Sequence, residues 1–464
     1  MTVELIDAGR RLRAAALRHA VPRAKTTRTR IDPTAVTISV LQLPGAAAEL
    51  WGVGIGNPHG PEAFFAVANP QNWESQLEIF RFLADRLAPK LAAARQTEQR
   101  PQIVVASDDA WELLAGVAYR MLRVPDDEPS RAAAEAICWA NDRHHHPGST
   151  VVVSVAAALA EHFTTGGGAN DERSLAWMLA WLDRNDTAGL DDRLAAIEDF
   201  DDTVLPLDVE ARHSLAGLSA RAAGGDSDAA ARVVDAATQV LAERHARLTH
   251  GVKTLRALTH PRVAAVDELA AHDAGSFAHA QQLADNGWRR RQRLSTRDEI
   301  AALIEAEELH EFWHGALMWA DAAARDEAEA EGRVLVGNVT AAAGGTITVT
   351  TDPDAELRFR PGDTIADTGL PGATYKVASV VRGVEGLTVT LRPDKPYLGV
   401  AALGATVTMC APAPTYDQVE RRIGKARGAI YKPGWTHDPK QTAAGPRRAS
   451  RPGRYRAALE ARAT

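Results

Sequence analysis

From residue 333 the chain changes its period. Up to that point it is Ala-rich and mostly helix-forming. From there the runs 333–339, 346–350, 375–381, 387–391 and 405–409 are β-branched, alternate in polarity and are separated by Gly, Pro and Asp turn signals. Short strands of even length, each closed by a turn, predict a small β-barrel over residues 333–410. A barrel reached through a charged helix and followed by a basic segment points to a nucleic-acid partner, with DNA and RNA both open.

Length and composition set the frame around that barrel. A chain of 464 residues, 45% hydrophobic and 24% charged, can bury several cores, and its length suggests about three domains. The formal charge of -7 excludes a protein that is basic throughout, so basic patches must be local. Two cysteines, Cys138 and Cys410, are too few for a metal cluster or a disulfide framework and suit a reducing cytoplasm. The Arg-rich segment 1–30 has no apolar core of signal-peptide length, and no run of about 18 apolar residues occurs after it, so neither secretion nor a membrane span is expected.

Residues 36–43, 51–56 and 64–68 read as three strands divided by Pro, Gly and Asn, and residues 73–91 carry Leu77, Phe80, Leu83, Leu87 and Leu91 at helical spacing. Residues 102–106 form a short apolar run of buried-strand type, followed by a helix that Ser107 or Asp108 can cap. This β-β-β-α-β-α order over residues 31–125 resembles a ribonuclease H-like fold, in particular the exonuclease-like domain ahead of some bacterial superfamily 1 helicases. Nucleases of that type need converging carboxylates for two metal ions, the first pair on the first strand. Here that strand reads Val36-Thr37-Ile38-Ser39-Val40-Leu41-Gln42-Leu43 and holds no carboxylate. Asp108 and Asp109, where a later ligand would be expected, are explained by helix capping, and the domain is expected to be inactive.

Residues 126–294 read as a helical region. A helix capped at 226–228 carries Val233, Ala237, Val240, Leu241, Leu248 and Val252 on one face, and Arg244, Arg247, Lys253 and Arg256 on another. That basic face is either solvated or a phosphate-contacting stripe. Trp177 and Trp181 form a core pair, 191–202 a solvated linker, and His144-His145-His146 a loop. The densest basic cluster with an aromatic neighbour is Trp288-Arg289-Arg290-Arg291-Gln292-Arg293, which can neutralise phosphates and stack on a base. Capping boxes at 295–299 then open stalk helices over residues 295–332.

His310-Glu311-Phe312-Trp313-His314 matches a zinc-peptidase pattern, in which His310 and His314 would hold the ion and Glu311 would serve as base. No third ligand is evident, and Phe312 and Trp313 suit a packing helix, so a zinc-dependent hydrolase stays an alternative and no cofactor is expected. Gly251-Val252-Lys253-Thr254 and Gly424-Lys425-Ala426 lack the phosphate-loop frame, and no nucleophile elbow occurs.

The segment from Glu308 to Val339, with an aromatic helix, a charged continuation and then Gly332-Arg333-Val334-Leu335-Val336-Gly337-Asn338-Val339, resembles the stalk and inserted barrel of superfamily 1B helicases of the nonsense-decay type. Arg360-Pro361-Gly362-Asp363-Thr364-Ile365 resembles a later part of that barrel. The resemblance implies contact with single-stranded nucleic acid beside an ATPase motor, which no motif here supplies. Residues 411–464 carry twelve Lys/Arg against four Asp/Glu, including Arg447, Arg448 and Arg451, and read as a disordered basic tail suited to phosphate contact. The expectation is an α+β multidomain, cytoplasmic, auxiliary nucleic-acid-binding protein acting with a separately encoded ATPase. A structural protein-interaction subunit is the further alternative.

Overall fold

The computed structural model describes residues 3–42, 49–123, 127–183, 189–195, 197, 209–290, 295–343, 345–370, 372–383, 386–394 and 401–431. These residues form an α+β protein with thirteen α-helices and three sheets. Helix α1 (Val3–Leu17) leads to a two-residue strand, β1 (Val21–Pro22). The main sheet then begins with β2 (Val36–Gln42), β3 (Leu50–Asn57) and β4 (Gly60–Ala66), an antiparallel meander in which Ile38 faces Ile55 and Val53 faces Phe65.

Helix α2 (Trp73–Gln96) carries the chain across to β5 (Ile103–Val105), which pairs parallel to β2. Two further helices, α3 (Asp108–Met121) and α4 (Glu128–His144), return it to β6 (Val152–Ser154), parallel to β5. The sheet order is β4-β3-β2-β5-β6, with β3 alone running against the others. β5 and β6 are buried at every position, as continuous apolar runs in parallel strands should be.

Helix α5 (Val155–His162) starts directly from β6 and ends at β7 (Phe163–Thr164), which pairs with β1. Helices α6 (Leu175–Leu182), α7 (Leu190–Ala195), α8 (Val209–Ala223) and the 30-residue α9 (Ser227–Arg256) come next. The segment read as a solvated linker, 191–202, thus overlaps α7, whose first residue, Leu190, packs in one cluster with Trp181. Val233, Ala237 and Leu241 of α9 share one apolar core with β2, β3, α2, α3 and α4. The division expected at residue 125 runs through that core: a short apolar strand and a distant helix complete the sheet, and local periodicity does not register such partners.

After α10 (Ala265–Asp285), α11 (Thr296–Ala320) and α12 (Ala322–Ala330) meet at Asp321, whose buried carboxylate caps α12. It accepts hydrogen bonds from the Ala323 N–H at 2.9 Å and the Thr26 hydroxyl at 2.8 Å. Six strands complete the third sheet: β8 (Val334–Ala343), β9 (Thr346–Thr351), β10 (Thr364–Asp367), β11 (Thr374–Arg382), β12 (Leu387–Pro393) and β13 (Thr406–Cys410). They close into a barrel in the order β10-β11-β12-β9-β8-β13 around Leu335, Val349, Ile365, Tyr375, Leu391 and Met409.

The expectation of a disordered tail from residue 411 is corrected by α13 (Tyr416–Ile430). Thr415 and Gln418 form a capping box at its start, and Val419 and Ile423 pack with Leu309 and Phe312 of α11. The composition of residues 411–464 averages this amphipathic helix with the basic residues beyond it, which hides the helix. Residues 432–464, and with them Arg447, Arg448 and Arg451, lie outside the described residues. No described helix is long and apolar enough to cross a membrane.

Candidate functional site

Strand β2 alternates apolar residues with Thr37 and Ser39, and α9 lies over the polar side. The Thr37 hydroxyl is 3.0 Å from Nε2 of His245 and the Ser39 hydroxyl 3.1 Å from its Nδ1, while Phe64 meets the imidazole edge-on at 5.8 Å. Burial pushes the His245 imidazole down to about 4, so it is neutral at pH 7 and bonds both hydroxyls without carrying charge. The close approach of α9 depends on Gly52 and Gly56 of β3. A Cβ at Gly52 would stand 2.7 Å from a Leu241 methyl, and one at Gly56 would stand 2.6 Å from Nε2 of His245. The first strand therefore presents no carboxylate, and its polar side is covered. Its seal, His245, was missed from the sequence; glycine at every second position of 52–56 was the available signal.

A groove lies at the C-terminal ends of β5 and β6, where α3 and α5 begin. Ser107 caps α3 and Ser154 caps α5, each accepting a backbone N–H at 3.3 Å. Two adjoining cavities, of about 250 and 550 Å³, share Arg28, Asp108, Ser154 and Glu161 in their walls. His144, at the end of α4, places Nε2 at 3.6 Å from Asp108. Burial holds its imidazole below the usual range, and Asp108 opposes that shift. Arg28 donates to Asp321 at 3.2 Å, leaving its buried Nε without a partner. Asp109 instead pairs with Arg173. The histidine run read as a loop thus supplies His144 and His146 to this groove. Two carboxylates, an imidazole and a guanidinium can orient a polar ligand here, but among the described residues no three His, Cys, Asp or Glu side chains converge as metal donors.

The cluster at 288–293 divides. Trp288 is 44% exposed, and Arg289 pairs at the surface with Glu128. Arg290 points inward to Asp142, its side chain only 11% exposed, which leaves that guanidinium committed to the fold. Arg291 and Arg293 lie outside the described residues.

On α11, His310 and His314 share a face with ring centroids 4.2 Å apart. Burial pushes His314 down to about 4. Glu311 is 3.3 Å from Arg422 of α13, Glu327 pairs with Arg10 and Arg23, and Glu331 pairs with Arg333. The nearby carboxylates are engaged in ion pairs, and Phe312 and Trp313 are buried in packing.

Along α9 the basic stripe also divides: Arg244 is buried, whereas Lys253 and Arg256 are exposed. No family model, curated protein or solved structure matches the chain.

Proposed function

We propose that the chain is an auxiliary nucleic-acid-binding protein. In this reading its main sheet is a ribonuclease H-like domain without nuclease activity, and its barrel is of the helicase accessory type, working in the cytoplasm beside a separately encoded ATPase. The observation that carries the reading is the joint occurrence of two architectures in one chain. The sheet order places the third, second, first, fourth and fifth strands side by side with the second reversed, and a closed six-stranded barrel comes after a helix pair. Loss of nuclease chemistry is supported by the carboxylate-free β2 and the burial of Thr37 and Ser39 against His245. Burial pushes the Cys138 thiol up to about 12 and that of Cys410 to about 11, which suits packing roles in a reducing compartment. The engaged carboxylates around His310 and His314 give the zinc-hydrolase alternative less support.

The test is a titration of the full chain with single-stranded DNA and RNA from about 50 to 200 mM salt. Binding with a steep inverse salt dependence and little sequence preference is expected, because phosphate neutralisation releases counterions. The labelled strands should remain intact in Mg²⁺ or Mn²⁺. Absence of binding at the low-salt end would leave the protein-interaction role as the better account.

A further inference from the structure

Where α9 ends, a separate pocket of about 260 Å³ gathers three guanidinium groups, those of Arg30, Arg256 and Arg262, with His260, Thr27 and Thr29 beside them. Among the described residues no carboxylate lines it. Its backbone is held firmly: the Thr27 N–H donates to the Pro261 carbonyl at 2.9 Å, and the Val263 N–H donates to the Thr27 carbonyl at 3.1 Å. His162 contributes a buried wall, with both ring nitrogens already engaged by the Arg28 N–H and the Ala158 carbonyl. Leu255, Leu258 and Ile31 supply apolar surface, which strengthens any charge interaction made against it.

The charges around the pocket leave positive groups available. Asp267 receives Arg30 at 3.1 Å and Arg262 at 2.8 Å, so one carboxylate is divided between two guanidiniums. Arg30 also reaches Asp32 at 2.8 Å, but Asp32 is shared with Arg100. Arg256 is exposed and, among the described residues, has no acidic partner. Guanidinium groups match tetrahedral oxyanions with paired, charge-assisted hydrogen bonds, and the Thr29 hydroxyl adds a neutral donor.

We infer that this pocket binds a phosphate group, with Arg256 as its free ligand and Arg30 and Arg262 as guanidiniums held in position by Asp267. The inference is independent of the nucleic-acid reading, since a free phosphate and a strand's phosphate offer the same chemistry.

The experiment titrates the full chain with inorganic phosphate by calorimetry in low-salt chloride buffer. Saturable binding is expected, weakened at least about tenfold by Arg256→Gln and similarly by Arg262→Gln, with sulfate competing. Arg256→Gln should leave the melting temperature unchanged, since its side chain is exposed. Competition by a short 5′-phosphorylated single strand, but not by its 5′-hydroxyl counterpart, would identify a strand end as the source. Competition by both would indicate internal phosphates, and competition by neither a free phosphate. A titration without saturation, or one that Arg256→Gln and Arg262→Gln leave unchanged, overturns the pocket. If strand binding persists in that case, the nucleic-acid reading stands without it; phosphate binding without strand binding gives the reverse result.

Discussion

Nε2 of His245 lies 3.0 Å from the Thr37 hydroxyl, and this bond joins the start of β2 to a helix more than 200 residues later in the chain. It also satisfies a polar position in the first strand of the main sheet, which holds no carboxylate. The sheet is closed there by packing, and the groove beside Asp108 is left as its open polar edge.

Proton uptake should weaken the fold below neutral pH. His245 is held at about 4 and His146 at about 3, whereas an unfolded imidazole protonates near 6.5. Because the folded values are lowered, the contribution is complete above about pH 6.5 and is lost as pH falls towards the folded values. The slope is up to about 1.4 kcal/mol per pH unit for each histidine. Urea unfolding at pH 7.5, 6 and 5 measures it. His245→Gln should flatten the curve, and an unchanged slope would count against the buried neutral imidazole.

Gly52→Ala should cost about 1–3 kcal/mol. Its Cβ would stand 2.8 Å from the Phe65 carbonyl as well as 2.7 Å from Leu241, with backbone on one side unable to yield cheaply. A Gly60→Ala control has open space around its new methyl. Equal unfolding midpoints for the two variants would refute the close approach of α9.

Arg143 holds two buried carboxylates, Asp273 at 2.8 Å and Glu305 at 2.7 Å. Arg143→Leu should destabilise the protein by about 3–5 kcal/mol, because it leaves the buried Asp273 with only the Ser149 hydroxyl and takes from Glu305 one of its three hydrogen-bonded partners. Arg427→Ala should cost less, since Arg427 is half-exposed and Glu305 keeps Arg143 and His272. Denaturant midpoints of the two variants give the ranking, and a larger loss for Arg427→Ala would contradict it.

Trp288→Ala should weaken single-strand binding by about 1–3 kcal/mol through loss of base stacking, with little change in stability. Arg289→Ala should reduce the salt dependence. Arg290→Ala should chiefly lower the melting temperature, because its guanidinium is turned to Asp142. Calorimetry and binding isotherms on the three variants separate these effects; intact binding in Trp288→Ala would exclude a stacking role.

The purified protein should contain no stoichiometric zinc. His310→Ala should change stability by less than about 0.5 kcal/mol, as expected at an exposed helical position. Elemental analysis finding one zinc per chain, removed by that substitution, would restore the hydrolase alternative.

Local pattern determined much of the architecture. The period-two runs after residue 333 led to five of the six barrel strands, the short β10 excepted, and the spacing of Leu77, Phe80, Leu83 and Leu87 led to α2, because each depends on which face a residue presents along its own element. The capping box at Thr415 and Gln418 was equally local, but the basic composition of the surrounding segment obscured it. Tertiary structure alone decided that β6 completes a sheet begun over a hundred residues earlier, that α9 covers Thr37 and Ser39, and that Arg290 turns inward while Trp288 faces out. It also brought Arg30, Arg256 and Arg262 to one pocket from segments more than 200 residues apart. Those outcomes depend on which charges and cavities meet across the fold, and sequence spacing carries no record of such meetings.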